Sequence, residues 1–169
     1  MTDARHRWTT FATRFGRFAA AIDEQDRLVR FRFHRDVLPG LRDDAALAPV
    51  REQVEAFCAG KRQAFDLVCH AEDGSAFERG VWQAMTEIPF AETVTYGAIA
   101  RRLDGAPDAA RAVGAACNAN PIALIWPCHR VVGAKGALVG FGGGLPLKRA
   151  LLDFESVIAG RPRDLFARA

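Results

Sequence analysis

No stretch of this sequence is long and apolar enough to cross a membrane as a helix. The N-terminus, Met1-Thr2-Asp3-Ala4-Arg5-His6-Arg7, lacks the apolar core of a signal peptide, so a cytoplasmic location is expected. Cysteine is sparse: Cys58, Cys69, Cys117 and Cys128 are scattered, with no CxxC pair among them. That spacing argues against a disulfide scaffold and predicts free thiols. Cys69 and His70 adjoin, yet no second Cys or His pair stands at zinc-finger spacing, so no metal is expected. Nor is there a large excess of either charge. A net charge of +3 and a pI near 8.9 permit contact with nucleic acid without arguing for it.

What is present is enough apolar material for a core. Of 169 residues, 50% are hydrophobic and 25% charged, a composition of folded rather than disordered chains. The length suits one ordinary domain, or a small domain attached to a larger one. Residues 8–33 carry an apolar segment, Phe18-Ala19-Ala20-Ala21-Ile22, then a turn-like Asp23-Glu24-Gln25-Asp26. Apolar and basic residues then alternate along Leu28-Val29-Arg30-Phe31-Arg32-Phe33. Period-two alternation beside a turn predicts a β-hairpin with one wet face. Pro39-Gly40 interrupts it, and Leu47, Val50, Val54, Phe57 and Cys58 share one stripe of a helix over 45–59. Phe65-Asp66-Leu67-Val68 reads as a short extended piece. Residues 1–74 are thus a small α/β domain.

Residues 75–169 read as mostly α. Ser75, with Glu78 three positions on, has the form of a capping box opening a helix that holds Phe77, Val81, Trp82 and Met85. That helix ends before Pro89. Thr95 is placed to cap a second helix, Tyr96 to Leu103. After a turn at Asp104-Gly105-Ala106-Pro107, Asp108 starts a third, from Ala109 to about Asn118. Two short helices about a tight turn have the outline of a helix-turn-helix. In the last of them Ala109, Ala110, Ala112, Gly114, Ala115 and Ala116 leave Arg111 standing alone. So bare a surface suits close packing against another helix, or approach to a groove with Arg111 projecting. It lacks the several polar readers of sequence-specific contact, so groove binding would rest on backbone and shape.

Reactive groups gather further on. The apolar run Pro121-Ile122-Ala123-Leu124-Ile125 leads into Trp126-Pro127-Cys128-His129-Arg130. A glycine triplet, Gly142-Gly143-Gly144, follows, and then a helical stretch carrying Glu155. Cys, His and Glu in that order form a candidate relay for activating a sulfur nucleophile. The plainer reading, a small buried hydrophobe, suits Cys58, Cys69 and Cys117 better than Cys128, flanked by His and Arg.

These residues also carry a resemblance. Asn120-Pro121, Pro127 to Val132, Gly140-Phe141-Gly142-Gly143-Gly144-Leu145, Lys148 and Leu151-Leu152-Asp153-Phe154-Glu155 together resemble the O6-alkylguanine-DNA alkyltransferases. These are the methylated-DNA–protein-cysteine methyltransferases. Phe77 to Trp82, Ile88-Pro89-Phe90, Thr95-Tyr96-Gly97 and Ala109 to Gly114 fit the same family. The match is close over about 75–155 and looser over 8–70.

The resemblance implies an α/β N-terminal domain plus a mostly α C-terminal domain with a winged-helix-like helix-turn-helix. It implies binding to the minor groove of double-stranded DNA and irreversible, single-turnover transfer of the alkyl group from O6-alkylguanine to Cys128. O4-alkylthymine is expected as a further substrate. His129 matches the water-linked base, Glu155 the residue orienting it, and Asn120 the brace behind the cysteine. Arg111 matches the arginine that fills the vacated base stack, and Tyr96 the tyrosine beside the flipped nucleotide. Backbone groups around Cys128, Val131 and Gly142 are expected to recognise guanine. The family implies a monomer without cofactor, cytoplasmic and nucleoid-associated when acting.

The chemistry accounts for these residue types. O6 of guanine is a poor leaving group, so attack on the alkyl carbon needs a thiolate, whereas a free thiol with a pKa of about 8.5 is mostly protonated at neutral pH. The product is a thioether that water does not attack, so one protein repairs one lesion. Rotating the nucleotide out of the duplex costs a few kcal/mol, which a cationic wedge such as Arg111 partly recovers. Two positions depart from the family. Phe141 stands where tyrosine is common, removing a hydroxyl near the alkylated oxygen, and Trp126 replaces a smaller aliphatic. Ala123, Val139 and Phe141 are expected to wall the alkyl pocket, and stiff, β-branched Val139 predicts that small groups are handled best. Other classes remain: a non-catalytic lesion-binding protein of the same fold, a plain helix-turn-helix DNA binder, and a Cys-His hydrolase. The presence of Cys128 argues against the first, and the joint spacing of Cys128, His129, Asn120 and Glu155 against the second. The third requires a histidine to face its own sequence neighbour.

Overall fold

In the computed structural model, which describes residues 5–103 and 109–161, four strands form the first sheet. They are β1 (Arg7–Thr13), β2 (Gly16–Ile22), β3 (Leu28–Phe33) and the short β4 (Leu41–Arg42), in the order β3-β2-β1-β4. β2 pairs antiparallel with both neighbours, and β4 joins β1 in parallel. The expected hairpin is β2–β3. Its turn is held by Asp23, whose Oδ1 accepts the N–H groups of Gln25 and Arg27 at 2.9 Å while Oδ2 accepts Arg27 Nε at 2.7 Å.

The wet face expected of that hairpin is confined to β3, where Arg30 and Arg32 are half-buried, and is absent from β2. Phe18 to Ile22 of β2 are buried without interruption, so the central strand is covered on both faces, as its continuous apolar run allows. Phe18 meets Phe31 and Phe33 edge-on, at centroid distances of 5.4 and 5.1 Å. Helix α1 (Ala48–Cys58) packs on β1 and buries the predicted stripe of Val50, Val54, Phe57 and Cys58.

By internal contacts the chain divides into two units. Met1–Glu72 with Pro121–Ile125 make one, and Asp73–Asn120 with Trp126–Ala169 the other. The apolar run before the cysteine therefore belongs with the first sheet. Phe31 N–H donates to Pro121 O at 2.9 Å, and Ala123 N–H donates to Phe31 O at 3.3 Å. Ile122, Ala123 and Leu124 are buried there, which explains why this segment is apolar throughout.

The second unit opens with α2 (Ala76–Thr86). Its capping box is complete: Ser75 accepts from Glu78 N–H, and the Glu78 carboxylate accepts from Ser75 N–H. β5 (Val94–Thr95) leads into α3 (Tyr96–Arg102), capped by Thr95 Oγ1 on Ala98 N–H at 3.1 Å. α4 (Ala109–Ala119) packs on α2 and α3 through Val113, Ala116 and Cys117. Trp82 Nε1 donates to Ala116 O at 2.8 Å. The turn read at Asp104-Gly105-Ala106-Pro107, and Asp108, lie outside the described residues. β6 (Val131–Val132) pairs in parallel with β5. α5 (Leu145–Ile158) begins after Gly144, whose φ of 87° is the left-handed conformation that glycine tolerates. No helix among the described residues is long and apolar enough to cross a membrane.

Candidate active site

Cys128, His129 and Arg130 form one turn of 3-10 helix between Pro127 and β6, and all three are buried. The turn is closed by Arg130 N–H on Pro127 O at 3.0 Å. Behind it, Asn120 Nδ2 donates to Trp126 O at 2.9 Å, and Asn120 is only 2% exposed. This bond joins the two ends of the segment that leaves the second unit and returns to it. Trp126 stacks on Trp82, with centroids 5.8 Å apart and rings inclined by 26°. The unusual tryptophan before Pro127 is therefore a packing partner of α2.

α5 supplies the third member. Glu155 is fully buried, and its Oε1 lies 2.7 Å from His129 Nε2. Arg130 binds both carboxylate oxygens, Nε to Oε2 at 2.9 Å and the terminal nitrogen to Oε1 at 2.9 Å. Ala91 N–H adds a fourth donor, to Oε2 at 2.9 Å. Burial opposes ionisation of Glu155, but His129 and Arg130 outweigh it and hold the carboxyl well below its ordinary 4.5. Glu155 is thus an anion that can only accept. Burial also lowers the His129 pKa below 6.5, against the pull of Glu155, so the ring is neutral at pH 7. A neutral imidazole facing a carboxylate puts its proton on Nε2, which leaves Nδ1 unprotonated. Among the described residues Nδ1 has no hydrogen-bond partner, so it is the atom able to accept a proton.

A second cluster centres on Lys148, also fully buried. Its Nζ donates to Val131 O at 2.6 Å, to Tyr96 Oη at 3.2 Å and to Val139 O at 3.2 Å. It also lies over the rings of Tyr96 and Phe141, 5.5 and 5.8 Å from their centroids. Tyr96 in turn donates its hydroxyl to Val139 O at 2.9 Å. Burial lowers the Lys148 pKa, and negative charge on Cys128 or Cys117 would act the other way. Tyr96, Val131 and Phe141 are therefore brought together through Lys148, for which the sequence motif alone implies no role. Its signal was legible. Lys148 falls on the buried stripe of α5 with Leu151, Leu152 and Glu155, where an unpaired charge would not be tolerated.

Arg111 is exposed, on a face of α4 made otherwise of Ala112, Ala115, Asn118 and Ala119. The small residues on this face therefore do not serve internal helix packing. Gly142 is exposed too, with open space where a side chain would project. The other thiols are poor candidates. Burial pushes Cys58 and Cys69 up to about 11, and burial with the Cys128 charge pushes Cys117 up to about 12.

Residues 76–157 match the family model described as 6-O-methylguanine DNA methyltransferase, DNA binding domain. A methylated-DNA–protein-cysteine methyltransferase of Methanosarcina acetivorans is 52% identical over 103 residues, covering 61% of this chain and 65% of the relative. One of Mycobacterium bovis is 48% identical over 123 residues, 73% of this chain and 72% of the relative. The crystal structure of Mycobacterium tuberculosis OGT in complex with DNA superposes with a TM-score of 0.83 at 36% identity, covering 95% of this chain and 99% of that one. The matched stretch carries the buried relay, and the superposition extends through the first sheet as well. The chain belongs to the methylated-DNA–protein-cysteine methyltransferase family.

Proposed function

We propose that the protein repairs O6-alkylguanine in double-stranded DNA by transferring the alkyl group, once and irreversibly, to Cys128. The observation that carries this is the buried His129–Glu155 pair on the turn that presents Cys128. Nδ1 of His129 takes the Cys128 proton through one bridging water, and Glu155 with Arg130 stabilises the imidazolium. The thiolate attacks the alkyl carbon; a C–S bond forms as the bond from carbon to O6 breaks. The displaced guanine anion takes up one proton, so the net reaction moves the thiol proton onto guanine. No step regenerates the thiol.

α3 and α4 act as the helix-turn-helix, with the bare face of α4 lying in the minor groove and Arg111 entering the stack the flipped base leaves. Asn120 braces the segment behind the cysteine. Tyr96 borders the flipped nucleotide, and backbone groups of Val131 and Gly142 read the guanine edge. Phe141 offers O6 no hydroxyl. The protein acts as a monomer, without cofactor, and accepts O4-alkylthymine as a further substrate.

Intact-protein mass spectrometry after incubation with O6-methylguanine duplex tests the reading. One methyl group is expected, mapped to Cys128 and absent from C128A, which still binds the duplex. Binding without any mass increment would replace the reading with a non-catalytic lesion-binding protein.

A further inference from the structure

Among the donors to Glu155, the Ala91 amide comes from a residue in a costly conformation. Ala91 has φ 61°, the left-handed region that residues with a side chain avoid. It is the third residue of a turn closed by Glu92 N–H on Pro89 O at 3.1 Å, a position where positive φ favours glycine. Something must hold an alanine there.

Arg161 is placed to do so. One terminal nitrogen donates to Ala91 O at 2.9 Å and the other to Glu92 Oε1 at 2.5 Å. Arg161 itself is set by the end of α5. Gly160, at φ 69°, donates N–H to Val157 O, and Arg161 N–H donates to Ser156 O. These paired bonds terminate a helix through a left-handed glycine. α5 therefore grips one residue from both sides: Glu155 takes the Ala91 N–H, and the arginine just past the helix end takes its C=O.

We infer that Arg161 is a positioning residue for the relay: by clamping the Pro89–Glu92 turn it keeps the Ala91 amide on Glu155. The inference rests on the reading of His129 as the base for Cys128. An amide withdrawn from Glu155 leaves more negative charge facing His129 Nε2, which favours the imidazolium. The charged groups about His129 are Glu155 and Lys148 of α5 and Arg130 of its own turn, and all three survive a change at Arg161. Arg161 touches none of the reacting groups. Its ion pair with Glu92 is exposed, and such pairs add little stability.

The test compares the full-length protein with R161M and with A91G/R161M, following the rate of methyl transfer against pH and the His129 ring by NMR titration. In R161M the acid limb of the rate and the His129 midpoint are expected to move up by about half a pH unit. Transfer then slows about threefold on the acid limb and stays unchanged on the alkaline side. A91G/R161M is expected to return to the wild-type profile, because glycine holds the turn without a clamp. An R161M profile superimposable on wild type overturns the inference, as does a double variant displaced as far as R161M. Absence of transfer to Cys128 in the unaltered protein would instead sink the functional reading, and the NMR titration would still decide the clamp.

Discussion

His129 Nε2 and Glu155 Oε1 lie 2.7 Å apart with neither side chain exposed, so the ring's orientation and tautomer are set by one buried bond. E155Q is expected to slow alkyl transfer by about a hundredfold or more, the usual worth of an oriented general base. Lesion affinity should be nearly intact, since Glu155 reaches no surface. Quenched-flow single-turnover rates beside equilibrium binding decide it; equal rates would leave Glu155 a structural anion. E155A is expected to be less stable by about 3–5 kcal/mol, because Arg130 is left buried without its partner.

The same pair makes the fold acid-sensitive. His129 has a folded pKa below 6.5, so as pH falls past that value the unfolded chain gains a proton the folded one refuses. Glu155 has a folded pKa below 4.5, so its stabilisation is complete above that pH and is lost progressively beneath it. Both effects have one sign: stability rises with pH through both windows. Urea midpoints should fall between pH 7 and 5, and fall further below 4.5. E155Q should make the second decline shallower, leaving the part due to other lowered carboxylates such as Asp23. A midpoint flat from pH 7 to 4 would contradict both assignments.

Arg111 is exposed on the bare face of α4, so its removal should leave stability alone. R111A is expected to reduce repair of duplex about tenfold, while single-stranded substrate loses much less, having no stack to fill. Affinity should fall with salt and show little preference for flanking sequence. Equal losses on both substrates would reduce Arg111 to a phosphate contact.

Alkyl size is the fourth expectation. Val139 is 47% exposed, so its side chain is a rim residue while its carbonyl turns inward to Tyr96 and Lys148. A Cβ added at Gly133 would stand 3.2 Å from its Cγ2, so it is the glycine there that leaves room for the valine. O6-methylguanine should react faster than the ethyl compound and benzyl slowest, with V139G raising the benzyl rate about tenfold, the scale of one relieved steric intrusion. Benzyl transfer as fast as methyl in the unaltered protein would remove Val139 from the pocket.

Much of this molecule is legible in its sequence, where local rules decide the outcome. Ser75 with Glu78 and Thr95 with Ala98 cap helices through contacts spanning three residues, and the stripe from Val50 to Cys58 needs only helical periodicity. Cys128, His129 and Glu155 stood out because ionisable groups sat in apolar surroundings. What escaped depends on long-range pairing. β4 joins β1 across a loop, and Pro121–Ile125 lies against β3, so its apolar character reflects a sheet ninety residues upstream in the chain rather than its own neighbourhood. The roles of Arg130 and Ala91 were hidden for the same reason. Nothing in either residue's local pattern shows that it faces Glu155.

Lys148 and Glu155 are seven residues apart on α5, about two helical turns or roughly 10 Å at 1.5 Å per residue. One anchors the Tyr96–Val139–Phe141 cluster and the other the His129 relay. On the proposed function the helix is a rigid ruler between the cluster that would receive the damaged base and the relay that would ionise the thiol. Neither end can be displaced along the axis without dragging the other, so in that mechanism a lesion that seats badly would also detune the nucleophile. Misfit and inactivity would then be a single mechanical event, a useful coupling for the single-turnover reaction proposed.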